Sequence, residues 1–241
     1  MRVLISHTHK YIYHMNPKVG SNTMLNMLYR IAGLDDDAIG NPHQTSRDVD
    51  LLRKHGLLAR DLEHDECQAY FSDFPNFYTF SFTRNPYTRL KSAYNDKLKR
   101  YAEIVMPELV DEMARREGGL SKKQFQQELM QRITFKQFAE GVCGEHLYGD
   151  QHWVPQYDRL RPDLCHYDSV GKLENYKNDL TAILEEIGIS QKNQPEFPTR
   201  LNAAPDSRLI TDYYDDDLIR MVSISYRKDF DAFGYNTSLP K

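Results

Sequence analysis

The sequence predicts an α/β chain with a mainly parallel central sheet flanked by helices. Two runs of β-forming residues, "KYIYHM" (Lys10 to Met15) and "FYTFSF" (Phe77 to Phe82), each pass through a short loop into a helical pattern. A third short run, "CHYDSV", leads into the amphipathic "KLENYKNDLTAILEEIG". The 241 residues contain no internal repeat, low-complexity tract or Gly/Ser linker, so the chain reads as one continuous domain, 1–241.

Taken in order, "MRVLISHTHK" offers one short apolar run and no cleavable leader pattern. Lys10 to Met15 reads as a buried strand. After it, Met24, Leu25, Leu28 and Ile31 recur at helical spacing from a start near Asn22, and Gly33 is a natural stop. A second helix is expected from Arg47 to His55, with Ser46 as its cap and Gly56 beyond its end. Phe77 to Phe82 is the clearest strand. Asn85 then caps a helix, Pro86 fits its first turn, and Leu90, Ala93, Tyr94, Lys97 and Tyr101 follow its spacing. From about residue 103 to 150 the pattern is polar and helical, as in an inserted cover of short helices packed on the outside. The third strand and a helix ending near Gly188 follow, then a last helix from Asp217 to Asp229.

Apolar residues make up 40% and charged residues 27%, the balance of a globular protein. A formal net charge of -4 provides no overall field for nucleic acid or an anionic membrane, so an anionic ligand must be gripped locally. Cys67, Cys143 and Cys165 share no metal-type spacing, and so sparse a set suits a reducing compartment. No stretch approaches the ~20 apolar residues of a membrane helix, and the expected location is cytoplasmic.

Ligands of open α/β sheets bind beyond the carboxyl ends of the strands, where both loops lie. In "NPKVGSNT", Gly20 permits a turn that lets successive amides converge on an anion, and the following helix adds its unpaired N–H groups. Ser21 and Thr23 add hydroxyls, and Lys18 a full charge. The spacing does not match G-x-x-x-x-G-K-[ST], so a triphosphate loop is the weaker reading, and an ordinary turn stays open for this stretch alone. In "TRNPYTRLKSAY", Arg84 stands at the strand end, while Asn85, Arg89 and Ser92 fall roughly along one helical face. Arginine and serine there could meet on one anion. A helix that merely buries Leu90, Ala93 and Tyr94 accounts for the apolar positions alone.

"PKVGSNT", followed about sixty residues later by "FTRNPYTRLKSAYNDKL", resembles the carbohydrate sulfotransferases and their bacterial relatives. "HWVPQYDRLRPDLCHYDSVGKLENYKNDL" is similar to the family's "HW-x-PQ … YD-x-x-G-K-x-E" region, and "SYRKDFDAFGY" to the close of bacterial members. The likeness runs from Lys10 to Tyr235 and is weakest from about Glu103 to Gly141. It implies a P-loop-like sulfotransferase fold and the co-substrate 3′-phosphoadenylyl sulfate (PAPS), with adenosine 3′,5′-bisphosphate as product. Lys18, Gly20, Ser21, Asn22 and Thr23 would hold the 5′-phosphosulfate. Arg84 and Ser92, eight positions apart as in the family, would hold the 3′-phosphate. Asn22 departs from the small or hydroxyl residue often found there.

Sulfuryl transfer is an in-line displacement that rests on positioning and charge stabilisation, by analogy with phosphoryl transfer. Lys18 is the candidate for stabilising the leaving charge. The acceptor also needs a base, for which an imidazole suits neutral pH. Of nine histidines, His43 lies between the two phosphate motifs, where related enzymes also carry a histidine, and is the first choice. His152 is second, with loop anchoring beside Trp153 as its alternative reading. His7, His9 and His14 read as core or edge residues. Glu174 reads as a structural hydrogen-bonding residue, and Asp215, Asp216 and Asp217 as a helix N-terminal charge cluster. Tyr87 or Tyr94 could stack on adenine, and "RLNAAP" (Arg200 to Pro205) could close over the nucleotide. No metal is expected. The resemblance implies a hydroxylated acceptor, a carbohydrate or glycolipid. A nucleoside-triphosphate-dependent kinase with an atypical loop and a non-catalytic binding protein remain the alternatives.

Overall fold

The computed structural model describes residues 1–63, 66, 72–115, 119–196 and 208–240. The chain forms two compact units: Met1–Arg84 with Gln156–Ala203, and Asn85–Pro155 with Ala204–Lys241.

The first unit holds a five-stranded sheet of order β3-β1-β2-β4-β5. Its strands are β1 (Arg2–Ser6), β2 (Tyr11–Met15), β3 (Leu57–Asp61), β4 (Tyr78–Thr83) and β5 (Ser169–Lys172). The sheet is mixed rather than mainly parallel. β2, β4 and β5 pair in parallel, whereas β1 runs antiparallel to both β2 and β3. The cause is connection length: only His7 to Lys10 separate β1 from β2, and so short a link permits a hairpin but no crossover. The apolar run in "MRVLIS" is therefore a strand in its own right, as is "LLARD", which lacks strict alternation.

Alternation in β1, β2 and β4 divides the first unit's core between two faces. Leu4, Tyr11, Tyr13, Met15, Phe80 and Phe82 pack on α1 (Ser21–Ile31) and on Leu180 and Ile183 of a later helix, Tyr176–Glu186. Val3, Ile5 and Ile12 form the other face with Leu62 and Cys165. Gly171 lies opposite Phe82, and a Cβ there would come within 2.5 Å of the Phe82 ring, so only glycine lets β5 sit flat against β4.

Between α1 and β3 come α2 (Asp36–Ile39), α3 (Pro42–Thr45) and α4 (Val49–Lys54). The helix expected from Arg47 is thus shorter. Asp48, not Ser46, accepts the N–H of Leu51 and caps it. Ser46 ends α3 and donates its hydroxyl to His43 O.

The second unit opens with α5 (Pro86–Val105), capped by Asn85, whose Oδ1 accepts the Tyr87 N–H. α6 (Pro107–Ala114), α7 (Lys122–Arg132) and α8 (Phe135–Cys143) follow. Met113, Leu129, Phe138 and Val142 of these helices are fully buried in this unit's core with Leu98, Trp153 and Phe230. The last helix divides at Tyr226 into Asp216–Ser225 and Arg227–Phe233.

Candidate functional site

The C-terminal ends of β2 and β4, neighbouring parallel strands of the first unit, carry the two sequence-flagged loops. From Asn16 to Gly20 the backbone turns twice through the left-handed region, at Lys18 (φ 69°) and Gly20 (φ 82°). At Gly20 that conformation costs little. A Cβ there would also press within 3.1 Å of Leu173 Cδ1. α1 begins at Ser21, and its first ladder bond runs from Met24 N–H to Gly20 O. The amides of Ser21, Asn22 and Thr23 precede that bond and have no acceptor within the helix. Unlike α5, α1 has no side-chain cap; neither helix has an acidic residue in its first turn. An anion there meets a helix N-terminus with its partial charge uncompensated.

The individual residues of this loop divide. Ser21 is buried and donates its hydroxyl to Asn16 O, 2.5 Å away, closing the loop on itself. Thr23 is also buried, whereas Asn22 is exposed. Lys18 is half-buried. Arg84, immediately after β4, reaches back to this loop: its Nη1 donates to Lys18 O at 3.3 Å. Two residues 66 positions apart in the sequence thus meet.

A network that the sequence did not reveal lies beneath them. Gln156, at the start of a short helix (Gln156–Leu160), is fully buried. Its Oε1 accepts the Arg84 backbone N–H at 2.9 Å, and its Nε2 donates to Arg84 O at 2.8 Å. Asn16, equally buried, donates Nδ2 to Gln156 Oε1 and to Phe82 O. Neutral amides carry no charge pattern, and only the "PQ" of the family-like stretch touched this position.

His43 lies on α3, a four-residue helix capped by Asn41 and docked on α1, where Tyr29 donates to Pro42 O. Its imidazole is exposed. His14, in contrast, is fully buried in β2, and its Nδ1–H donates to the Tyr167 hydroxyl, which itself donates to Leu160 O. Burial pulls its pKa down to about 3, the mark of a neutral core histidine.

In the second unit, Ser92 stands half-buried on α5. Arg89 does not share a ligand face with it. Fully buried, Arg89 donates to Val154 O at 2.9 Å and Gln151 O at 3.4 Å, and the buried Asp229 offsets part of the desolvation of its charge. The segment it braces contains His152. Tyr226 donates to Trp153 O, the Trp153 indole donates to His146 O, and His152 Nδ1 lies 2.5 Å from Asp150 Oδ1. Half-burial would raise the Asp150 carboxyl, but hydrogen bonds from His152 and Arg100 outweigh it and hold the group down at about 2.

Both tyrosines nominated for adenine are buried. Tyr87 is buried among Tyr214 and Phe230 and donates to Thr237 O, and Tyr94 donates to Ile133 O between Phe135 and Phe138. Glu174 is exposed, and Asp179 accepts the Lys172 backbone N–H. Asp215 caps its helix through Leu218 N–H and pairs with Lys136, in keeping with a charge cluster at a helix start. The Arg200 to Pro205 stretch and Cys67 lie outside the described residues. Among the described residues no group of His, Cys, Asp and Glu gathers as for a metal ion, and no helix is long and apolar enough to cross a membrane.

Comparison with known proteins points the same way. Carbohydrate sulfotransferase 14 of Danio rerio is 25% identical over 97% of this chain and 62% of its own length. Carbohydrate sulfotransferase 10 of Xenopus laevis is also 25% identical, over 97% of this chain and 67% of its own. The human carbohydrate sulfotransferase 14 is 26% identical over 77% of this chain and 46% of its own. The chain therefore spans about half to two thirds of the length of these curated relatives. No solved structure matches it significantly. The model of the Sulfotransferase family matches residues 1–236, nearly the whole sequence, and the chain belongs to that family.

Proposed function

We propose that this chain transfers a sulfuryl group from PAPS to a hydroxyl or amine acceptor on a carbohydrate. The observation that carries the reading is the meeting of the two loops: Arg84, from the end of β4, is bonded to the carbonyl of Lys18 in the loop after β2. A nucleotide with separate 3′- and 5′-phosphates needs two such grips close together. The uncapped start of α1, with Gly20, Ser21, Asn22 and Thr23, suits the 5′-phosphate, and the Arg84 guanidinium the 3′-phosphate. The acceptor class draws its support from the relatives, whose names specify carbohydrate sulfotransferases.

In this scheme the acceptor oxygen attacks sulfur in line, and the bond from sulfur to the 5′-phosphate oxygen breaks. That oxygen keeps the electron pair, and the product is adenosine 3′,5′-bisphosphate. Lys18 supplies the cation that offsets the growing charge. A base takes the acceptor proton. His43 has the exposed imidazole this requires, and His152 is the second candidate, with Asp150 orienting its ring. No metal enters the scheme.

The test is incubation with PAPS and a panel of glycans, reading a sulfuryl mass gain by mass spectrometry. Transfer is expected for wild type. Lys18→Ala should lower it by about 100-fold or more, the scale of removing one charge-stabilising donor, with the melting temperature kept. Wild-type turnover in that variant would remove Lys18 from the mechanism.

A further inference from the structure

We infer that Gln156, together with Asn16, is a positioning residue that couples the two halves of the nucleotide grip, so that ordering one phosphate loop orders the other. This rests on reading those loops as phosphate sites. The bonds form a closed circuit within the first unit. Ser21 Oγ donates to Asn16 O, and Asn16 Nδ2 donates to Gln156 Oε1. Gln156 then holds both backbone groups of Arg84, and the Arg84 guanidinium returns to Lys18 O. The carboxamide thus treats Arg84 as a neighbouring strand would, clamping the backbone from which the cationic side chain projects.

Packing alone does not call for this arrangement. Burying a primary amide costs free energy unless its groups are paired. Gln156 pairs both of its groups with Arg84 and Asn16, while Asn16 pairs through Nδ2 and leaves its buried Oδ1 without a partner. The amide orientations are fixed as well. Turning Asn16 over would set its oxygen against Phe82 O and Gln156 Oε1, two acceptors. Such a circuit in a low dielectric fails as a unit, so removing Gln156 loosens Arg84 and the Asn16-led loop together.

The experiment measures the affinity of Gln156→Leu for adenosine 3′,5′-bisphosphate, adenosine 5′-phosphate and adenosine 3′-phosphate, with thermal melting as the check on folding. The bisphosphate should lose about 10- to 100-fold in affinity, the range seen when the supporting partners of a binding group are removed, and each monophosphate less. A second variant, Gln156→Glu, restores one O–H donor and one acceptor only when its carboxyl is protonated. Its affinity relative to wild type should therefore rise as pH falls. Wild-type affinity in a folded Gln156→Leu, or an equal factor lost for all three ligands, overturns the coupling. Should Gln156→Leu not fold, a Gln156→Glu affinity that stays flat against wild type across pH overturns it instead. Failure of the wild type itself to bind the bisphosphate overturns the underlying reading of the loops, and the coupling with it.

Discussion

Lys18 shows what a side-chain type signals and what it hides. Its charge beside Gly20 was legible in "PKVGSNT", but its left-handed backbone, uncommon for any residue but glycine, was not. Its carbonyl accepts a bond from Arg84, and no local pattern encodes a partner so far along the chain. The same limit hid Asn16 and Gln156, since an amide in a core leaves no periodicity or charge to read. His14 is the opposite case: a histidine inside a run of β-formers reads as core, and its burial gives a pH prediction. Its folded pKa of about 3 lies below the unfolded value near 6.5, so the unfolded chain binds the proton more readily. The stability this neutral ring allows is whole above about pH 6.5 and declines as pH falls towards 3, with a slope of at most about 1.4 kcal/mol per pH unit. Urea melts at pH 7 and pH 5 should therefore differ by roughly 2 kcal/mol in wild type and by less in His14→Gln. Identical differences in the two proteins would show that His14 is not the titrating group.

Elements were readable where an apolar period coincided with a stop signal. α1 and α5 were found this way, each from its spacing and from the glycine or asparagine at its boundary. β1 and β3 were not. Both are five residues long, and β3 exposes Arg60 and Asp61, so neither offered enough alternation to exceed noise. Their absence from the reading is also why the sheet was expected to be mainly parallel: the two missed strands make the antiparallel pairs. On α5 the sequence weighted two polar residues alike, and the fold does not. Asn85 caps the helix at its start, whereas Arg89, one turn on, sits fully buried and holds the carbonyls of Gln151 and Val154. Asn85→Ala should cost about 1 kcal/mol, the usual loss of a cap. Arg89→Met should cost more, about 3–5 kcal/mol, because it leaves Asp229 buried without the cation that faces it and two carbonyls without their donor. Urea denaturation of both variants decides it, and an Arg89→Met midpoint equal to that of Asn85→Ala would remove the bracing role.

At the scale of the whole molecule, the formal net charge of -4 means that a polyanion finds no general attraction and must fit the local grips. The two loops stand at the ends of two neighbouring parallel strands, and the function proposed above gives them two separate phosphates rather than a run of three. A ligand that binds only the folded chain stabilises it by RT ln(1 + [L]/Kd), which is about 2.7 kcal/mol at a hundredfold excess over Kd. For a chain in this size range each kcal/mol raises the melting temperature by about 2–4 °C, so saturating adenosine 3′,5′-bisphosphate should raise it by roughly 5–10 °C. ATP with magnesium offers one phosphate chain to two grips and should give a much smaller shift at equal concentration. Adding a chelator should leave the bisphosphate shift unchanged, because both grips are built from backbone amides, hydroxyls and cations. A larger shift from ATP with magnesium would instead assign the loop after β2 to a triphosphate.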